Sequence, residues 1–180
     1  MTIETRKMDI FGRMREAAQI DRVLMTLAAA CLVPLFFHWA PWPFVTPIGA
    51  VWLPIFYAPA AAMLLFRPHA GLLASALAPA LNHWMTGMPA APLVPALTME
   101  LLLFSLLLLF FTKIFPRIVF NAVLAYGVSR CLSFFIWNLP AGDVPPARLA
   151  DAFFTALPGT AVLLLINGVI VGHDRQKRQA

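Results

Sequence analysis

The chain has 180 residues, enough for one domain, and 61% of them are hydrophobic while only 12% are charged. A soluble domain has about 45–50% apolar and about 25% charged residues, so the composition excludes an ordinary water-soluble protein and indicates a polytopic membrane protein. The net charge of +5 does not indicate nucleic-acid binding, because the basic residues lie mostly between and beyond the apolar segments, where they set membrane topology.

The first elements in chain order are a polar amphipathic segment and two apolar spans. Residues 1–22 combine basic and apolar side chains at helical spacing, which predicts a short interfacial helix on the cytoplasmic side. The first membrane span is predicted at 23–39 and the second at 48–66. Pro54 and Pro59 lie within the second span, so we expect a kinked or partly broken helix there.

Four more spans complete the predicted architecture. They lie at 70–86, 93–112, 118–139 and 152–172, with a polar loop over 140–151. Residues 23–172 are therefore predicted to form an all-α membrane domain, six transmembrane helices in one compact bundle, followed by a basic cytoplasmic tail at 173–180.

Basic residues predict the orientation of this bundle. Eleven of the 13 Lys and Arg residues lie before the first span, at Arg67, within 113–117 or in the tail. The alternate loops hold only Arg148, and Arg130 falls inside a span. The excess of positive charge on one side predicts that both termini are cytoplasmic. The predicted location is the bacterial cytoplasmic (inner) membrane, crossed several times.

Two ionisable residues lie within predicted spans, Glu100 and Arg130. A charge at mid-membrane costs at least about 2.5–3.5 kcal/mol, so each needs a partner or a wet site. At 1.5 Å per residue they lie roughly 10 and 13 Å below the outer surface, at similar depth. They form either a structural ion pair or the wall of an outward cavity that binds a polar ligand.

Other candidate ligand-binding residues gather at the same outer level. They are polar or aromatic residues at predicted span ends: Asn82, His83, Trp84, Trp137, Asn138 and Trp52. The tryptophans also suit an interfacial belt, the amides also suit bridges between helices, and the histidine also suits a hydrogen-bonded boundary position. Both interpretations stay open for each residue.

Small residues and missing motifs give further expectations. Ala70, Ala74 and Ala78 recur every four residues, which favours close helix packing inside the bundle or docking onto a partner membrane protein. The sequence contains no G-x-x-x-x-G-K-[ST], H-E-x-x-H or G-x-S-x-G motif and no paired cysteine motif. We therefore predict no enzyme activity, no catalytic residue, no cofactor and no metal site.

Short motifs over most of the chain resemble one transporter family. Arg67-Pro68-His69-Ala70-Gly71, Gly87-x-Pro89, Glu100 and Leu157-Pro158-Gly159 are similar to segments of the substrate-binding S components of energy-coupling factor (ECF) vitamin transporters. The resemblance implies capture of a vitamin or related micronutrient from outside, and docking onto a membrane coupling subunit powered by two ATPase subunits. The family's docking pattern on its first helix is only partly matched, by Thr26-x-x-x-Ala30.

The ligand and two other functions stay open at this stage. Residues 52–100 resemble S components that handle thiamine or its pyrimidine precursor, which makes these the first candidate ligands. Cobalamin or a deazapurine base is an alternative ligand. Some members of the family work without a coupling module, so a solitary vitamin transporter is possible. A non-transporting six-span scaffold of cell-wall assembly has similar size and hydropathy, and an intramembrane enzyme would need more convergent acids or nucleophiles than the sequence has.

Overall fold

The computed structural model describes residues 3–39, 41, 43, 46–66, 68–138, 145 and 147–179, and every regular element among them is a helix. The all-α prediction is therefore confirmed for this part of the chain. The elements are α1 Ile3–Trp39, α2 Ile48–Trp52, α3 Pro54–Leu65, α4 Pro68–Thr86, a 3-10 turn Ala91–Leu93, α5 Val94–Ile114, α6 Asn121–Asn138, α7 Ala147–Thr155 and α8 Leu157–Gln179.

Helix α1 differs from the prediction because it contains no separate interfacial helix. It runs for 37 residues without a break. The sequence between 17 and 23 contains neither Gly nor Pro, so a change from polar to apolar composition occurs without any residue that would end the helix. At 1.5 Å per residue α1 is about 55 Å long, which exceeds a hydrocarbon core of about 30 Å.

The second predicted span is broken, as its prolines predicted. Leu53 separates α2 from α3 in a left-handed conformation, with φ 53° and ψ 38°. Pro54 then starts α3, since proline is well suited to the first turn of a helix. The Tyr57 hydroxyl donates to the Trp52 carbonyl oxygen, so the break is bridged by a side chain.

The start of α8 packs tightly against this break. A Cβ atom on Gly159 would lie 2.6 Å from the Trp52 carbonyl carbon, so only glycine fits at this distance. The segment before α8 was predicted as a loop and the start of one span, but it forms α7, and the α7–α8 pair bends by 56°. Pro158 lacks the N–H group that a continuous helix would need there.

Among the described residues, three segments are long and apolar enough to cross a membrane, namely Ala18–Trp39, Ile48–Leu65 and Ala91–Ile114. The bent α7–α8 pair would provide a fourth. Many large apolar residues are exposed and several polar residues are buried, unlike in a typical soluble protein. The buried polar residues include Ser75, Asn82, Glu100, Ser105, Asn121, Ser129 and Asn167. These are features of a multi-pass membrane protein.

The alanines predicted as a possible docking face are buried inside the bundle. Ala30, Ala70, Ala74 and Ala78 are each 0–1% exposed, and α4, which carries three of them, packs against α1, α3 and α5. Small side chains permit this close approach of helices. In this structure the four residues serve internal packing, and they offer no exposed surface to a partner.

Candidate ligand-binding site

A cavity of about 740 Å³ occupies one end of the bundle. Its wall is built from the last turns of α1, from α2 and the start of α3, from the first turns of α5, and from α6 and α7. Lys113 lies at the other end of α5, and α8 ends on that same far side because it starts next to α7. The cavity therefore lies at the end of the bundle away from the basic segment 113–117 and from the C-terminal end of α8.

Glu100 and Arg130 both line this cavity and contact each other. The Arg130 Nη1 atom donates to Glu100 Oε2 at 2.8 Å. Antiparallel packing of α5 and α6 brings the two side chains to one level, as the depth estimate from the sequence predicted. The two sequence interpretations, an ion pair and a cavity wall, are thus both present in the structure.

The contact between them uses only part of their hydrogen-bonding capacity. A guanidinium has five N–H donors and a carboxylate accepts through two oxygens, so a fully matched pair is bidentate. Here a single N–H contacts a single oxygen, and the Nε atom of Arg130 is buried with no partner. Glu100 is 3% exposed, whereas the Arg130 side chain is 37% exposed. Donors of Arg130 remain available for a ligand in the cavity.

Asn82 is the third sequence-predicted residue in the cavity wall. It is 3% exposed and its Nδ2 group donates to the carbonyl oxygens of Ala30, at 3.0 Å, and of Ala78, at 2.9 Å. The amide therefore bridges α1 and α4, as one of the two interpretations predicted. Its position in the wall is also compatible with the other interpretation, contact with a ligand.

No family model, curated protein or solved structure matches this chain.

The predicted tryptophans do not line the cavity. Trp84 and Trp137 are exposed on the outside of the bundle, which suits the interfacial belt. Trp52 packs against Phe37 with ring centroids 6.1 Å apart. The aromatic wall is instead formed by Phe56 and Tyr126, whose rings meet edge to face at 5.3 Å.

Two other predicted residues are also absent from the wall. The His83 Nδ1–H group donates to the Pro89 carbonyl oxygen at 2.8 Å, so the ring holds the loop after α4, the boundary role that was its alternative. The side chain of Asn138 lies outside the described residues.

Sequence reasoning missed several residues that line the cavity, namely Phe56, Tyr126, Arg148, Asp151 and Thr155. Arg148 had a usable signal, because it is the single basic residue in the loops opposite to the basic side. Phe56 and Tyr126 had none, since buried aromatic residues in apolar helices are ordinary core residues. In the described part of the chain, no three His, Cys, Asp or Glu side chains come together as a metal site requires.

Proposed function

We propose that this protein is the substrate-binding membrane subunit of an uptake system for a vitamin or related micronutrient. The observation that carries the proposal is the Glu100–Arg130 pair, partly unsatisfied and set in the wall of a cavity of about 740 Å³. Pockets of about 300–1,000 Å³ with apolar walls and a few polar groups are typical of small-molecule sites. A protein that only builds structure has no need of such a cavity.

We propose six membrane spans, formed by α1, α2–α3, α4, α5, α6 and α7–α8. Helices α4 and α6 have 19 and 18 residues, about the length needed to cross. Their outward faces carry exposed apolar residues, including Leu73 and Leu77 on α4 and Leu124 and Leu132 on α6. With both termini in the cytoplasm of a bacterium, the cavity opens toward the outside of the inner membrane.

The cavity chemistry favours a flat heterocycle with polar edges. Phe56 and Tyr126 provide aromatic surface, and Glu100 and Arg130 provide an acceptor and a donor side by side. Thiamine or its pyrimidine precursor is the first candidate ligand, in line with the motifs in 52–100. Cobalamin is the alternative that the sequence resemblance also allows.

Energy for uptake would come from outside this chain, because the sequence contains no phosphate-binding motif. The resemblance to ECF S components points to a coupling subunit and two ATPase subunits as partners. Since Ala30, Ala70, Ala74 and Ala78 are buried, docking would use another surface of the bundle. A solitary transporter would need no such surface.

A scaffold of cell-wall assembly is the second candidate, favoured by the direct contact between Glu100 and Arg130. A scaffold would be expected to seal these charges from solvent. The adjoining cavity and the 37% exposure of the Arg130 side chain instead favour ligand capture.

The test is calorimetric titration of the purified protein in detergent with thiamine, its aminopyrimidine precursor, cobalamin and a 7-deazaguanine base. We expect submicromolar binding of one of these ligands, loss of that binding in Glu100→Gln and Arg130→Gln, and no change in Lys113→Gln at the opposite end of α5. No binding across the panel would contradict ligand capture and favour the scaffold.

A further inference from the structure

The amide of Asn82 has a fixed orientation, and the cause lies in a neighbouring helix. Pro34 is inside α1 and has no N–H group, so the Ala30 carbonyl, four residues earlier, lacks its helical donor. The Nδ2 group of Asn82 donates to this carbonyl at 3.0 Å and to the Ala78 carbonyl at 2.9 Å. A primary amide has two N–H groups, so both are used.

The remaining polar atom of Asn82 is its Oδ1, which can only accept. Asn82 is 3% exposed and lines the cavity, and no hydrogen bond joins Oδ1 to the described residues. Oδ1 is not among the fully enclosed polar atoms, so it is accessible from the cavity. Rotation of the amide by 180° would place Oδ1 against two carbonyl oxygens, which is unfavourable. The cavity therefore contains an acceptor that cannot become a donor.

Glu100 and Arg130 do not impose the same restriction. Together they offer one acceptor and one donor. A ligand edge that carries one donor and one acceptor, in either order, can therefore rotate until it matches them. Asn82 removes this freedom, because a ligand carbonyl opposite Oδ1 would leave two acceptors facing each other in a buried site.

We propose that Asn82 is a specificity-determining residue, which selects ligands that present an N–H group, such as an amino-substituted heterocycle, over analogues that present a carbonyl at that position. This inference rests on the proposed function. It separates two roles of one amide: Nδ2 completes the hydrogen bonding of α1 at Pro34, and Oδ1 recognises the ligand.

The experiment compares matched amino and oxo ligands: thiamine with oxythiamine, adenine with hypoxanthine, and cytosine with uracil. Dissociation constants for both members are measured by calorimetry, and the ratio of oxo to amino is taken for the wild type and for variants. In the wild type we expect the amino member of the recognised pair to bind about tenfold more tightly or better. Asn82→Leu should bring this ratio close to one and lower Tm.

A double variant separates the two roles. In Pro34→Ala/Asn82→Leu the new N–H at position 34 can donate to the Ala30 carbonyl, so Tm should recover relative to Asn82→Leu while the ratio stays close to one. Ser75→Ala is the matched control, because Ser75 is buried on the same helix and its hydroxyl bonds the Gly71 carbonyl and the Ser105 hydroxyl, neither of which lines the cavity. It should lower Tm and leave the ratio unchanged.

The following results would overturn the inference or the proposed function. If Asn82→Leu keeps the wild-type ratio, or if the double variant regains it together with Tm, Asn82 is only a structural bridge and the inference is overturned. Tighter binding of the oxo member by the wild type also overturns the inference, and this measurement does not depend on whether any variant folds. If none of the matched ligands binds and no compound of the vitamin panel binds either, the proposed function fails, and this inference fails with it.

Discussion

The Glu100 carboxylate receives one hydrogen bond from Arg130 and is almost completely enclosed. A buried ion pair is weak evidence for stability, since the cost of desolvation can exceed the attraction between the charges, and an apolar pair of similar volume is often as stable. Charges kept inside a membrane domain are typically functional. The geometry of this pair, one N–H to one oxygen beside a cavity, supports that interpretation at the scale of single residues.

Exchange of the two charged residues tests whether the Glu100–Arg130 pair only stabilises the fold or also binds the ligand. Glu100→Gln should lower the free energy of unfolding by about 1–3 kcal/mol, less than for a fully enclosed pair because the Arg130 side chain is 37% exposed. The double variant Glu100→Arg/Arg130→Glu should recover most of the stability and none of the ligand binding. Thermal unfolding measures the stability, and calorimetric titration measures ligand binding. Recovery of binding in the exchange variant would mean that the pair has only a structural role.

At the scale of elements, the broken α2–α3 segment carries much of the cavity wall. Its position is set by contact with the start of α8 at Gly159, where the chain comes close to the Trp52 backbone. Leu53 keeps a left-handed conformation that is uncommon for residues other than Gly, Asn or Asp, so the neighbouring elements must hold it in place. Packing of α8 therefore shapes a wall that belongs to α2 and α3.

Substitution of two close-packed glycines should distinguish a contact with rigid backbone, at Gly159, from a contact with a flexible side chain, at Gly71. Gly159→Ala would place Cβ 2.6 Å from backbone atoms of Trp52, and we expect it to cost about 1–3 kcal/mol and to weaken ligand binding. Gly71→Ala is the matched control, because its new Cβ meets mainly the flexible side chain of Met63. We expect a smaller loss of Tm and unchanged affinity there. Equal effects of both variants would argue against a rigid α2–α8 contact.

The link between α5 and α6 is held by two buried amides. Asn121 Nδ2 donates to the Phe115 carbonyl at 2.8 Å, and Asn167 Nδ2, from α8, donates to the Val119 carbonyl at 2.7 Å. Asn167→Val removes a buried donor and should cost about 1–3 kcal/mol of unfolding free energy. Thr160→Val on the same helix loses only a local bond to Leu157 and should cost less in thermal unfolding. A smaller loss for Asn167→Val than for Thr160→Val would contradict the role assigned to this amide.

The molecule as a whole is characterised by where its polar and apolar residues lie. Apolar residues cover the outside, buried serines and amides join the helices, and the cavity lies at the end of the bundle away from Lys113 and the C-terminal end of α8. If positive charge marks the cytoplasmic side, the cavity faces outward. Capture of a nutrient depends on this orientation.

Cysteine labelling of intact cells tests the orientation. In a background of Cys31→Ala and Cys131→Ala, a cysteine at the exposed position Met88, beside the cavity, should react with a membrane-impermeant maleimide. A cysteine at Lys113 should react only after permeabilisation. The opposite pattern would place the cavity on the cytoplasmic side and rule out capture from outside.

The sequence by itself determined the helical class, the apolar character of the helices, the break near Pro54 and the common depth of Glu100 and Arg130. These follow from local composition, from proline chemistry and from the regular rise of a helix. The structure differs from the sequence expectation at the N-terminus, where α1 is continuous, and before α8, where α7 is helical. For Trp84, Trp137 and the alanine stripe it agrees with the alternatives, an interfacial belt and internal packing. The tryptophan and alanine roles depend on what lies opposite each residue in space, and the N-terminal difference depends on a helix boundary that no breaker residue marks.

Only the tertiary structure decided that Phe56 and Tyr126 form the aromatic wall, that α7 closes one side of the cavity, and that the Asn82 amide completes the hydrogen bonding of α1 at Pro34. Helical periodicity assigns a side chain to a face of its own helix. It does not say which carbonyl, ring or empty space that face meets, because this depends on how the helices pack together.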